Sequence, residues 1–127
     1  MSESALLSVR IEDVPDTATV VAIAGELDLS TISRMEGPLW EQLRQRPAVL
    51  VDLSGLGFID SSGIGALIQA FRSANGTPMN VLIGTGSQVE RVFGIAGVTE
   101  ALPVYSDRGQ ALAALAEARK AGVENAG

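Results

Sequence analysis

The stretch AVLVDLSGLGFIDSSGIGAL, Ala48 to Leu67, carries the reading of the fold. Its first half, AVLVDLSGL (48–56), is a short and mostly aliphatic run, the pattern of a buried strand ending in a Ser-Gly turn. In the second half the apolar run stops at Asp60 and two serines follow. Ile64, Leu67, Ile68 and Phe71 then fall at i, i+3, i+4 and i+7. That spacing predicts a helix over 61–73 with one core-facing stripe, closed by ANGTP through Gly76 and Pro78. A buried strand that feeds an amphipathic helix is the building unit of an α/β layer fold.

The flanking sequence repeats that unit. Upstream, LLSVRIEDV (6–14) alternates like a half-buried strand, PDT reads as a turn, and ATVVAIAG (18–25) is apolar enough to be central and covered on both faces. GELDLS follows, where Asp28 or Ser30 can cap a helix whose stripe is Ile32, Met35, Leu39 and Leu43. Gly37-Pro38 interrupts this stripe and predicts either a kink or a helix beginning at Pro38. Downstream, MNVLIG (79–84) is a strand, and Ser87 with Glu90 forms a capping box for a short helix burying Val89, Val92 and Phe93. A last strand is expected at Leu102–Tyr105 and a last helix after Asp107, with Leu112 and Leu115 inward. Two leading strands followed by alternating helices and strands give an α/β fold with helices on a mixed sheet. The domain is expected over 8–120, between an N-terminal extension (1–7) and a flexible C-terminal tail (121–127).

Composition excludes more chemistry than any motif suggests. The 127 residues fit one domain, and 46% apolar with 19% charged residues describes a folded chain. Cysteine and histidine are absent and Lys120 is the single lysine. A Ser-His-Asp triad is therefore impossible, no serine stands at S-x-x-K spacing, and no Walker lysine exists. Residue 59 is Ile, so there is no G-x-S-x-G elbow; residue 89 is Val, so Gly84-Thr-Gly86 lacks the third glycine of a dinucleotide loop. Asp28, Asp52 and Asp60 gather no other ligand type, so solvated strand ends are expected there, with a loose Mg²⁺ site as the alternative and no metal or cofactor assigned. A net charge of −6 with nine scattered basic residues carries no nucleic-acid footprint. No run approaches the ~20 apolar residues of a membrane helix. The amino terminus has no signal-peptide pattern, so a cytoplasmic protein is expected.

What remains is the hydroxyl pair. Asp60, Ser61 and Ser62 are all favoured at helix N-caps, which accounts for them without any function. Gly63 and Gly65 fit that account poorly, since each glycine inside a helix costs about 0.8–1 kcal/mol relative to alanine. Bare backbone there would suit close approach by another molecule. The outer face, Ser62, Gly65, Ala66, Gln69 and Ala70, is small and neutral, fitting either a docking surface or a second covering helix.

GELDLST (25–31), VLVDLSGLGFIDSSGIGAL (49–67) and VLIGTGSQVERVFGIAGV (81–98) resemble, in order and spacing, the STAS domain of bacterial anti-sigma factor antagonists. The resemblance spans residues 8–118, and D-S-S-G-[IL]-G is its most specific block. It implies a single STAS domain with a mixed sheet of four to five strands and about four helices mainly on one side. It implies a binding protein, not an enzyme: the unmodified form would bind a GHKL-type anti-sigma factor that is also a serine kinase, freeing the sigma factor. That kinase would phosphorylate Ser61, with Ser62 the second choice, and break the complex; a PPM-type phosphatase would reset it. Asp28, Asp60 and Gly63 would surround the phosphosite. Asp28, Ser30, Ser61, Ser62, Gly63, Gly65, Ala66 and Gln69 would meet the partner. A monomer or weak dimer is expected. Gly37-Pro38 departs from the family pattern and concerns only the first helix. The alternative use of the same fold is a constitutive scaffold or small-ligand module in a stress-signalling or transporter-associated complex.

Overall fold

A computed structural model describes residues 6–126, with side chains described through residue 122. The chain runs β1 (Leu7–Val14), β2 (Ala18–Leu27), α1 (Ile32–Gln45), β3 (Val49–Asp52), β4 (Leu56–Ile59), α2 (Ser61–Arg72), β5 (Met79–Leu82), α3 (Gln88–Ala96), a 3₁₀ turn (Val98–Glu100), β6 (Val104–Tyr105) and α4 (Arg108–Ala126). Residues 1–5 of the expected extension lie outside the described residues, and Leu7 already opens β1. Helix α4 continues over residues 121–126 of the expected tail.

The mixed sheet has the order β1-β2-β3-β5-β6, with β1 antiparallel to β2 and the other pairings parallel. It has six strands, more than the four to five expected, because the line after β3 resumes. β3 pairs with Thr19–Ala22 of β2; after a turn at Leu53–Gly55, β4 pairs with the same strand at Gly25–Leu27. The periodicity of 49–59 cannot show this break, since both halves are apolar and the turn interrupts only the register.

Alternation along the central strands separates two cores. Val21, Ile23, Val49, Val51, Met79 and Val81 face α1, α2 and α3, with Met35, Leu39, Leu67 and Phe93 packed on them. Val20, Leu50 and Leu82 face the other way and receive Ala111 and Leu115 of α4. Three helices thus cover one face and one helix the other, and β2 is covered on both as its apolar run predicts. Arg108 ties the start of α4 to Glu12 of β1 (2.9 Å) and Asp52 of β3 (3.6 Å).

Two local expectations change. Helix α1 runs unbroken from Ile32 through Pro38 to Gln45, so it does not begin at the proline. Its N-cap position is Thr31, not Asp28 or Ser30; the Thr31 hydroxyl donates to the Glu26 carbonyl (2.8 Å) instead of capping the helix. The capping box of α3 is half formed. Ser87 Oγ accepts from the Glu90 N–H (3.0 Å), but the Glu90 carboxylate takes the Gly86 N–H (2.9 Å). No helix among the described residues is long and apolar enough to cross a membrane.

Candidate functional site

The loops leaving β2 and β4 meet at the carboxyl edge of the sheet. Leu27 and Ile59 are paired in register, and the Asp60 N–H donates to the Leu27 carbonyl at 3.3 Å. Asp28 and Asp60 therefore emerge side by side, one residue beyond the paired Leu27 and Ile59.

Asp60 is the N-cap of α2. Its backbone is extended, and its Oδ1 accepts from the N–H groups of Ser62 (3.0 Å) and Gly63 (3.1 Å). This answers the question of the hydroxyl pair. The cap is an aspartate, so neither serine is needed for it. Ser61 occupies the first helical position and is exposed, and none of the described residues bonds its hydroxyl. Ser62 is half-buried. Of the two, Ser61 is the more exposed.

Asp28 closes its own loop. Its Oδ1 accepts from the Ser30 N–H (2.9 Å) and the Ser30 hydroxyl (2.7 Å), while its N–H donates to Thr31 Oγ1 (3.0 Å). The hydrogen bond from the Ser30 side chain, the largest cause, with further donors from the backbone of Ser30 and from Thr31, holds the Asp28 carboxyl below its ordinary value of 3.8. Asp52 does not join this pair: its carboxylate takes the Ser54 N–H (2.9 Å) and hydroxyl (2.6 Å) and faces Arg108. Among the described residues no three acidic side chains converge as a metal site would require.

The two glycines of α2 differ in kind. A Cβ built on Gly63 would lie 2.8 Å from the Leu27 carbonyl oxygen and 2.9 Å from side-chain carbons of Leu27 and Ile59, whereas one on Gly65 meets nothing within 4 Å. Gly63 is buried and is required by the packing of α2 on β2 and β4, not by access from outside. Gly65 and Gln69 are exposed. Ala66, expected on the contact face, is 8% exposed and belongs to the core that α1 shares with α2, as does Ala70. Both alanines are therefore core residues and not an open docking face.

Sequence reasoning misses Gln88 and Leu29. β4 is paired with β2 on one edge; on the other, Ile59 finds no strand. The Gln88 side chain replaces one. Its Oε1 accepts from the Ile59 N–H (3.0 Å) and its Nε2 donates to the Ile59 carbonyl (3.2 Å). A glutamine just after a helix cap carries no signal of this role in the sequence. Gln88→Ala leaves a buried peptide unpaired and is expected to cost about 1–2 kcal/mol of stability in urea unfolding. Gln88→Glu, which keeps the acceptor but sets a carboxylate against the Ile59 carbonyl, should not rescue it. A stability unchanged in both variants would show that water replaces the amide. Leu29, between Asp28 and Ser30, is 73% exposed.

Comparison with known proteins places this geometry in context. The STAS domain family profile matches residues 8–111. The chain is 31% identical over 100 residues to the anti-sigma F factor antagonist of Paenibacillus polymyxa, covering 76% of this chain and 85% of that one. It is 24% identical over 106 residues to the anti-sigma-B factor antagonist of Listeria monocytogenes, covering 82% and 93%. The crystal structure of an anti-sigma factor antagonist from Mycobacterium paratuberculosis superposes with a TM-score of 0.79 at 24% identity, over 91% of this chain and 98% of that one.

Proposed function

This chain belongs to the STAS domain family, and on that premise we propose that it is a cytoplasmic anti-sigma factor antagonist switched by phosphorylation of Ser61. In the unmodified state it binds an anti-sigma factor that is a GHKL-type serine kinase, and the sigma factor is released. The kinase passes the γ-phosphoryl group of ATP to Ser61 Oγ, the hydroxyl proton goes to a base on the kinase, and ADP leaves. Binding is lost until a PPM-type phosphatase hydrolyses the phosphoserine. The chain itself performs no chemistry, which accords with its lack of histidine and cysteine.

The observation that carries this reading is the division of labour at α2: Asp60 holds the helix cap, and Ser61 stands exposed beside it with its hydroxyl unengaged. The names of the relatives support the antagonist role.

Incubation with the cognate kinase and Mg-ATP is expected to add one phosphate, read as a single mass increment, and Ser61→Ala is expected to abolish it while Ser62→Ala leaves it. Phosphate retained on Ser61→Ala would falsify the site. A complex with the kinase that forms equally well before and after ATP treatment would instead favour a constitutive scaffold.

A further inference from the structure

The loop between β2 and α1 holds an apolar side chain that the acceptor role does not use. Leu29 exposes 73% of its surface, although its neighbours are each tied down. Asp28 Oδ1 takes two bonds from Ser30, Thr31 Oγ1 accepts the Asp28 N–H, and the Thr31 hydroxyl reaches back to Glu26. The Asp28 carbonyl also accepts the N–H groups of Thr31 (3.1 Å) and Ile32 (3.0 Å). A slack loop would let a leucine turn under and escape water. A loop closed on itself in this way keeps the side chain presented, with its ordering completed before any partner arrives.

Its position matters as much as its exposure. Leu27 and Ile59 pair across neighbouring strands, whose spacing is about 4.8 Å. Leu29 and Ser61 each lie two residues beyond that pair, Leu29 in the loop before α1 and Ser61 at the first position of α2, so both follow strand ends at the same edge of the sheet. Phosphoryl transfer depends almost wholly on placing the acceptor oxygen against the γ-phosphate, and a fixed apolar contact next to the acceptor supplies that placement.

We infer that Leu29 is a specificity-determining anchor, which enters an apolar socket on the anti-sigma factor kinase beside its ATP site and thereby sets Ser61 against the γ-phosphate. This rests on the proposed function and adds to it the residue that recognises the partner. The anchor contributes affinity in both phosphorylation states, and the phosphate opposes it through charge alone.

The test uses the full chain and the purified kinase that phosphorylates it with Mg-ATP. Leu29→Ser should melt at the wild-type temperature, since the side chain is in water. It should bind the kinase about ten- to hundredfold more weakly, the loss expected for one leucine withdrawn from an apolar site. The KM for Ser61 phosphorylation should rise by a similar factor, and Leu29→Met should recover most of both. Ser61→Glu is measured in parallel. If Leu29→Ser binds as the wild type does while Ser61→Glu is weakened, the anchor is wrong and the switch stands. Wild-type chain that neither binds nor is phosphorylated by any such kinase overturns both. Leu29→Ser that dissociates a homodimer without altering kinase binding assigns the side chain to self-association and overturns the anchor.

Discussion

Ser61→Glu is expected to leave the fold intact and to weaken binding to the anti-sigma factor kinase more than a hundredfold. The two halves of that expectation have different causes. An acidic side chain in the first turn of a helix lies at the positive end of the helix dipole, a placement worth about 0.3–1 kcal/mol. Position 61 is exposed, so nothing in the core is disturbed. Thermal unfolding followed by circular dichroism should therefore be close to that of the wild type.

Binding meets the opposite balance. The N–H groups of Ser62 and Gly63 are already taken by the Asp60 carboxylate, so a new anion competes with Asp60 for the helix end and gains no unfilled donors there. Asp28 emerges on the adjacent loop with its carboxylate favoured in the ionised form. For scale, any two unit charges about 5 Å apart at an effective dielectric of about 20 repel by roughly 3 kcal/mol, an amount that lowers an affinity by more than a hundredfold. In water much of this is screened, whereas a closed interface removes the screening, so the penalty falls on the complex. A phosphoserine carries about −1.5 to −2 and should act more strongly than glutamate. Titration calorimetry with Ser61→Gln as the neutral control separates charge from size. Glutamate and glutamine that bind alike would sink the charge mechanism.

Gly63→Ala and Gly65→Ala should move stability in opposite directions, though they lie two residues apart on one helix. Alanine gains about 0.8–1 kcal/mol over glycine in a helix interior. At position 65 nothing lies within 4 Å of the new methyl group, so the variant should be more stable by about that amount. At position 63 the methyl group meets the Leu27 carbonyl at 2.8 Å. That carbonyl is held by the Asp60 N–H, and the side chains of Leu27 and Ile59, at 0% and 1% exposure, have no room to turn away. Forced overpacking of this kind costs about 3 kcal/mol, which outweighs the helix gain and leaves a net loss of about 2 kcal/mol. A fall in Tm on the order of 10 °C should follow. Because the shift moves Asp60 relative to Leu27, phosphorylation of Ser61 should slow as well. A Gly63→Ala protein as stable as Gly65→Ala would mean that α2 can lift from the sheet without loss.

The contrast shows where sequence reading reaches its limit. Both glycines cost the same helix propensity, and the sequence gives them one explanation, access for a partner. The structure keeps that explanation open for Gly65 and gives Gly63 an internal one. Ala66 belongs to the same lesson. On a helical wheel it shares the small outer face with Gln69, yet at 8% exposure it is buried in the core cluster that also holds residues of α1. Gln88 is harder still, because its partner is a backbone peptide 29 residues away.

By itself, the sequence determined the α/β class, the alternation of strands and helices apart from β4, the lack of histidine and cysteine, and the D-S-S-G block at the head of α2. These follow from hydrophobic period, turn and cap residues and composition, which act over a few residues at a time. Only the tertiary structure decided that Asp60, not a serine, caps α2, that Gly63 is a packing residue, that β4 is a separate strand clamped by Gln88, and that the loop with Asp28 and Leu29 leaves the same sheet edge as the start of α2. The caps were underdetermined because Asp and Ser serve equally well. The rest depends on which distant residue fills a given space, and the register of β2 against β4 sets that through contacts far apart in the chain.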